Sequence, residues 1–288
     1  MPESQSDSQS ANSSIQYWQS FGIDLDSDGK IRVPARCTRI KLDVGLSFSA
    51  IHAIRWLTDD PELFCIGFEP LKENIELLRT SLSELPNSID IEERFLIVNL
   101  ALGDVVGYRP FFVTTDSGQA SLLRPKKFEF HETREVRIER LENVLELLPS
   151  RFERVDLLKT DCQGTDLEVI SGAGTLTNRI AVIVCEAESD SYQNSSNSPS
   201  RFVGLLEPQG FIWINRPNLL ILILRKVFSQ LPSFIRARIL TLLEKESTAV
   251  LRKSGAPGPK IKTVDPTFIN LNYLKEVENG SITALQWN

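Results

Sequence analysis

Four carboxylates end or follow apolar runs of this chain, and their positions suit them to chemistry. Asp43 stands beside Gly45 after one run, Glu69 ends the next, and Asp161 and Glu186 follow two later runs. In parallel α/β sheets, ligands bind beyond the carboxyl ends of the strands. Desolvating several acids there is costly unless a ligand or a hydrogen-bond donor shares the site. The pattern predicts a ligand site at strand ends.

Glu69 is the sharpest of these candidates, because it lies 24 positions after Gly45. That spacing is typical of the carboxylate that binds ribose in Rossmann-like folds, where its two oxygens accept both hydroxyls. The alternative is an acid at a helix start, since Pro70 and a predicted helix follow it. Gly45 also has two interpretations. It lets the backbone approach a ligand closely, or it only forms the turn between a strand and a helix.

The cluster Asp161-Cys162-Gln163-Gly164 also has two interpretations. It marks the edge of a site, or it precedes a helix capped by Thr165 or Asp166. The chain has two histidines, which nearly excludes a histidine-based zinc site, and no metal is predicted.

Alternating strand and helix patterns must position these residues. Short connections between them predict an α/β, Rossmann-like fold, a mostly parallel twisted sheet with helices on both faces. The predicted strands are Ile40–Val44, Leu63–Phe68, Phe95–Leu102, Val155–Thr160, Ile180–Cys185 and Thr267–Leu274. The predicted helices are Ala50–Leu57, Leu71–Leu82 and Asp166–Ile170.

Two segments interrupt this alternation. Residues 103–137 are rich in turns and strand formers, which predicts a β-hairpin and a long functional loop, Thr114–Pro125. Residues 216–253 hold eight Lys/Arg and two acids, a local charge of +6 that leaves −12 for the rest of the −6 chain. This basic apolar insert is a lid or dimer helix packing on the acidic core, or a helix lying on a membrane surface through 217–253.

Composition bounds the remaining choices. The net charge of −6 argues against a nucleic-acid binder, and four cysteines without a C-x-x-C pair indicate a reducing, cytoplasmic location. The longest aliphatic run, Leu219–Leu224, is too short to cross a bilayer, and no secretory signal is present. We therefore predict a disordered tail over 1–15, a core over 16–216 and 262–288, and a helical insert over 217–261.

Several motifs in order resemble the FkbM-type family of S-adenosylmethionine-dependent methyltransferases. The strongest is K-x-D-x-x-G-x-x-x-E-V-x-x-G-A at 159–173, with DVG at 43–45, GFEP at 67–70, VNLALGD at 98–104, SGQASLL at 117–123 and VIVCE at 182–186. Ordered motifs are more specific than any one of them. The resemblance covers about 40–217 and the run TFINLNYL.

The resemblance implies a class I methyltransferase fold, S-adenosylmethionine as cofactor, and O-methylation of a sugar, glycan or small natural-product hydroxyl. Asp161 would act as general base, with His131 as a second candidate. Gly118 and Ser121 would contact the acceptor, or merely form a turn. The implied cofactor-binding residues are Asp43, Gly45, Ser47, Glu69, Asn99, Ala101, Leu102, Asp161 and Gln163.

Two departures from the family's pattern suggest that the protein is not an active methyltransferase. Leu46 and Phe48 are bulkier than the residues of the family's first loop, and Gln163 stands where the family usually has Glu. They suggest a non-catalytic module that keeps the fold with a degraded cofactor loop. A nicotinamide-dependent oxidoreductase would also explain Glu69, although the chain lacks the glycine fingerprint G-x-G-x-x-G.

Overall fold

The computed structural model describes residues 13–187, 190–214 and 265–278. Its strands are β1 (Arg39–Val44), β2 (Leu63–Phe68), β3 (Phe95–Val98), β4 (Ala101–Gly103), β5 (Gly107–Thr114), β6 (Phe130–Arg140), β7 (Val155–Thr160), β8 (Ile180–Cys185), β9 (Phe211–Trp213) and β10 (Thr267–Asn270). Its α-helices are α1 (13–19), α2 (Ile51–Asp59), α3 (Lys72–Ser83), α4 (Ser88–Glu93), α5 (Leu141–Glu146), α6 (Asp166–Ser171), α7 (Pro199–Leu206) and α8 (Leu271–Glu278).

The central sheet has seven strands in the order β3-β2-β1-β7-β8-β10-β9. β1 pairs in parallel with β2 and β7, β2 with β3, and β7 with β8. β10 runs antiparallel to both β8 and β9, so β9 points the same way as the parallel strands. The mixed α/β fold with a mostly parallel sheet, predicted from the sequence, is confirmed.

Apolar strand sequences explain why the sheet is covered on both faces. Every residue of β2 and β7 is buried, as is typical of parallel strands with helices on each side. One face packs Ile40 and Leu42 against Val169, while the other packs Leu57 against Leu78. The two cores hold the carboxyl ends of β1, β2 and β7 at one edge of the sheet.

The segment after β3 forms a second, three-stranded sheet in the order β4-β6-β5. β5 and β6 form an antiparallel hairpin, as the sequence indicated for 103–137. The single predicted strand Phe95–Leu102 is wrong, because β3 ends at Val98 and β4 pairs with β6 in the other sheet. Asn99 lies between the two strands, and its side-chain amide donates to the carbonyls of Glu69 (3.0 Å) and Pro70 (2.9 Å).

The predicted final strand Thr267–Leu274 is also too long. β10 ends at Asn270, whose side-chain oxygen accepts from the Asn272 N–H at 2.9 Å and so starts α8. At the other end, residues 13–15 of the predicted tail are helical. The predicted insert 217–261 lies outside the described residues. Within the part of the chain that is described, no helix combines the length and apolarity needed to cross a membrane.

Candidate functional site

A cleft opens where β1, β2 and β7 end. It encloses about 520 Å³ of empty space, counting the part open to solvent. Its wall consists of the loops after these strands together with β4, β5 and the loop after β5. The lining residues are Val44, Gly45, Ser47, Phe68, Glu69, Pro70, Leu100, Ala101, Leu102, Phe111, Ser117, Gly118, Ala120, Leu122, Asp161, Cys162, Gln163 and Thr165.

Gly45 begins the first loop at a φ of +87°, in the left-handed region. A Cβ at this position would lie 2.1 Å from the carbonyl oxygen of Asp161. The N–H groups of Gly45 and Leu46 both donate to the Phe68 carbonyl, at 3.0 and 3.2 Å. Close contact between neighbouring strand ends thus requires glycine here, whether or not a ligand binds.

Leu46 and Phe48 do not line the cleft. Leu46 is 3% exposed and belongs to the core beneath the sheet, where its methyl carbons come within 2.7 Å of the position a Cβ of Gly67 would take. The Phe48 side chain is 43% exposed. The bulky residues of this loop therefore leave the cleft open.

Glu69 is buried at the wall of the cleft and accepts three hydrogen bonds. Its Oε1 accepts from the Leu71 N–H (3.0 Å) and from Asn74 Nδ2 (3.2 Å), while Oε2 accepts from the Ser47 N–H (2.8 Å). Burial outweighs these donors and raises the pKa of Glu69 to about 7. A carboxylate offers about four lone pairs, so among the described contacts one remains on Oε2. Glu69 therefore supports the start of α3 and also presents an acceptor to the cleft, while its binding of ribose stays a prediction.

Asp161 follows the end of β7, and it has a hydrogen-bond donor at one carboxylate oxygen and a cation near the other. Gln163 Nε2 donates to Oδ1 at 2.9 Å, and Lys159 Nζ lies 3.6 Å from Oδ2. Burial alone would lower the pKa of Lys159, but the carboxylates of Asp43 and Asp161 outweigh it and raise the pKa above its usual value. Lys159 therefore stays charged and keeps a cation beside Asp161.

Asp43 was expected to contact the cofactor directly, but the structure places its side chain away from the cleft. It is 1% exposed and does not line the cleft. Its Oδ1 lies 3.5 Å from Lys159 Nζ, so its charge acts on the cleft through that lysine. Burial raises the pKa of Asp43, although Lys159 opposes the shift.

Gln163 lines the cleft at a φ of +53° and contacts a residue that the sequence did not single out. The Tyr192 hydroxyl donates to Gln163 Oε1 at 2.7 Å, and it lies 2.9 Å from the Gln119 carbonyl oxygen. Tyr192 comes from a Ser- and Asn-rich stretch with no periodic pattern, so no sequence signal pointed to it.

The loop after β5 supplies the far wall. Gly118 lines the cleft, as predicted for the acceptor side, within the 3₁₀ turn Ser117–Gln119 that Asp116 caps. Ser121 does not line it, because its buried hydroxyl donates to the Gln163 carbonyl at 2.8 Å. Ser121 instead ties this loop to the end of β7.

The structure places some of the remaining predicted site residues at the cleft and others away from it. Ala101 and Leu102 line the cleft, as expected for the cofactor's adenine region. Asn99 does not, since its amide is used by the backbone turn after β2. His131 is exposed on β6 and does not line the cleft, so its candidacy as a base has no support. Within the described ranges, no three His, Cys, Asp or Glu side chains cluster closely enough to hold a metal.

The sheet and its cleft define a Rossmann-like α/β protein with an open cleft at the carboxyl edge of the sheet. The model of the methyltransferase FkbM domain matches residues 28–213, well over half of the chain. The chain therefore belongs to the FkbM methyltransferase family.

Solved structures of methyltransferases are similar at low identity. The FkbM methyltransferase from Methylobacillus flagellatus KT aligns at 12% identity and a TM-score of 0.36, over 63% of this chain and 41% of its own. StiE O-MT aligns at 8% and 0.34, over 84% and 73%. The human methyltransferase 10 domain containing protein aligns at 11% and 0.33, over 72% and 93%. No curated protein matches this chain.

Proposed function

We propose that this protein transfers a methyl group from S-adenosylmethionine to a hydroxyl of a sugar, glycan or small natural product. Family membership supports methyl transfer in general. The observation that carries the finer proposal is that two carboxylates line one cleft. Glu69 has an open lone pair, and Asp161 lies between the Gln163 amide that donates to it and the Lys159 cation.

The residues of the cleft fit the proposed cofactor. Oε2 of Glu69 would accept one ribose hydroxyl, and the wall at Ala101 and Leu102 is apolar, as an adenine ring requires. The loop after β1 would bound the methionine portion through Gly45 and Ser47, both of which line the cleft. The bulky side chains of that loop lie outside it.

Asp161 is the group best placed to handle the acceptor's proton. Its side chain is 42% exposed, within the cleft, and its oxygens are oriented by Lys159 and Gln163. Bound S-adenosylmethionine would supply an electrophilic methyl group to the acceptor oxygen and would leave as S-adenosylhomocysteine. Asp161 Oδ1 accepts the proton that the hydroxyl loses, and holding the reactants in line supplies much of the remaining acceleration.

Calorimetry with S-adenosylmethionine and its demethylated product tests the cofactor. We expect both to bind, and the reduced nicotinamide cofactor to show no binding in a fluorescence titration. Asp161→Asn separates an enzyme from a non-catalytic module: binding persists while product formation with hydroxyl acceptors falls roughly 10²- to 10⁴-fold. Absence of binding at millimolar donor would refute the proposal and favour the module.

A further inference from the structure

Gln163 and Tyr192 form a hydrogen-bond chain that ends on Asp161. The Gln163 amide lies between Asp161 Oδ1, 2.9 Å from Nε2, and the Tyr192 hydroxyl, 2.7 Å from Oε1. The same hydroxyl lies 2.9 Å from the Gln119 carbonyl oxygen. Tyr192 is 2% exposed, so its hydroxyl must find its partners within the protein.

When Asp161 is ionised, the hydrogen-bond chain has one hydrogen fewer than its acceptor oxygens need. An ionised carboxylate only accepts, so the Gln163 amide must present its N–H to Oδ1 and its carbonyl oxygen to Tyr192. Tyr192 then has a single hydrogen for two acceptor oxygens, Gln163 Oε1 and the Gln119 carbonyl. One of the two oxygens is left without this donor.

With Asp161 protonated, the same atoms can satisfy each other completely. If the Gln163 amide turns by half a revolution, Oε1 accepts the proton on Asp161 Oδ1. Nε2 then donates to the Tyr192 hydroxyl, which gives its hydrogen to the Gln119 carbonyl. Every donor in the chain meets one acceptor, and such chains strengthen one another.

We propose that Gln163 and Tyr192 are positioning residues for the proton of Asp161: the Gln163 amide donates to ionised Asp161 and turns as Asp161 takes up a proton, and Tyr192 then stabilises the protonated form through it. This inference rests on the proposed function, in which that proton comes from the acceptor hydroxyl. A carboxylate at position 163 could not donate to ionised Asp161, so the amide is the side chain of this shape that serves both states.

Other charged groups around Asp161 bear on this proton. Lys159 lies at Oδ2 and favours the ionised form, which also directs the proton to Oδ1. Carboxylates on β1 and α6 oppose it, and an imidazole on α2 and a thiol on the same loop are also within electrostatic range. These four groups are Asp43, Asp166, His52 and Cys162.

The Gln163 side-chain amide reports the turn directly in nuclear magnetic resonance of the full-length chain labelled with ¹⁵N-glutamine. Its signal is assigned by its loss in Gln163→Met. On acidification of the wild type, we expect one transition, with contacts from the Nε2 protons to the Tyr192 ring appearing below its midpoint. Asp161→Asn should abolish the transition, because no proton can then be taken up at position 161.

Tyr192→Phe gives the quantitative test. It removes one hydrogen bond from the ionised state and two from the protonated state, so the midpoint should fall by about 0.7 pH unit, the worth of one neutral hydrogen bond. Tyr273→Phe is the matched control, since Tyr273 is also buried (4% exposed) but lies on α8. It should leave the midpoint unchanged.

A midpoint that stays or rises in Tyr192→Phe would overturn the inference, as would a wild type without any transition. If Tyr192→Phe does not fold, the ring contacts in the wild type decide alone. Binding of S-adenosylhomocysteine, measured on the same samples, separates this inference from the proposed function. If the protein shows the transition but does not bind S-adenosylhomocysteine, the turn of the Gln163 amide stands and the cofactor site is refuted. If it binds S-adenosylhomocysteine but shows no transition, the turn of the amide is refuted.

Discussion

Affinity for S-adenosylhomocysteine should rise with pH because of Glu69. Burial raises the pKa of Glu69 to about 7, and a ribose hydroxyl donates more strongly to the ionised carboxylate. About nine-tenths of Glu69 is ionised at pH 8 and about one-tenth at pH 6. If protonation of Glu69 weakens binding about 10-fold, because a neutral acceptor replaces a charged one, the dissociation constant of the wild type should be about 5-fold higher at pH 6 than at pH 8.

Stability of the unliganded chain should change in the opposite direction. Because the folded pKa of Glu69 lies above the unfolded one, the folded state holds a proton that the unfolded state releases. This contribution is fully present below pH 4.5 and is lost as pH rises to about 7. A pKa of about 7 in the folded state against 4.5 in the unfolded state corresponds to roughly 3 kcal/mol of unfolding free energy.

Glu69→Gln should remove both pH dependences at once. At pH 8 its dissociation constant should be about 10-fold above that of the wild type, since a neutral acceptor replaces a charged one. Isothermal calorimetry and urea unfolding at pH 5 to 8 measure the two effects. Glu76→Gln, at an exposed site on α3, makes the same charge change and should alter neither. A wild type whose affinity is flat between pH 6 and 8 would refute a ribose-binding role for Glu69.

Two further substitutions test the support of the cleft. Lys159→Met leaves Asp43 buried without its cation, so urea unfolding should show a loss of about 3–5 kcal/mol, part of which Asp43→Asn in the same chain restores. Leu46→Ala opens a cavity over Gly67 and should cost about 2–4 kcal/mol while S-adenosylhomocysteine affinity stays unchanged. A gain in affinity would show that Leu46 obstructs the cleft.

The sequence predicted the sheet well where strands are buried on both faces. β8 is a run of six apolar residues and β7 contains the apolar residues Val155, Leu157 and Leu158, and the predicted and observed limits of both strands coincide. Such runs specify a parallel strand almost alone, because no other short element buries every side chain. The placement of Glu69 and Asp161 in one cleft follows from that regularity.

Contacts between distant segments account for what the sequence did not reveal. The end of β3 is set by hydrogen bonds from Asn99 to carbonyls 29 and 30 residues away. Ser121 and Tyr192 reach Gln163 from 42 and 29 residues away, which turned one expected acceptor contact into a structural one and added an unforeseen partner. Local pattern carries no signal for pairs of this kind.

The hypothesis of a degraded cofactor loop depended on Leu46, Phe48 and Gln163. The structure answers the arguments from Leu46 and Phe48. Leu46 packs under the sheet on Gly67 and Phe48 is exposed, so neither side chain narrows the cleft. The remaining doubt concerns charge at position 163. A second carboxylate 2.9 Å from Asp161 would force the pair to share a proton. Glutamine leaves Asp161 free to ionise beside Lys159 and still offers an acceptor when it is protonated, so this departure is compatible with catalysis by a single carboxylate.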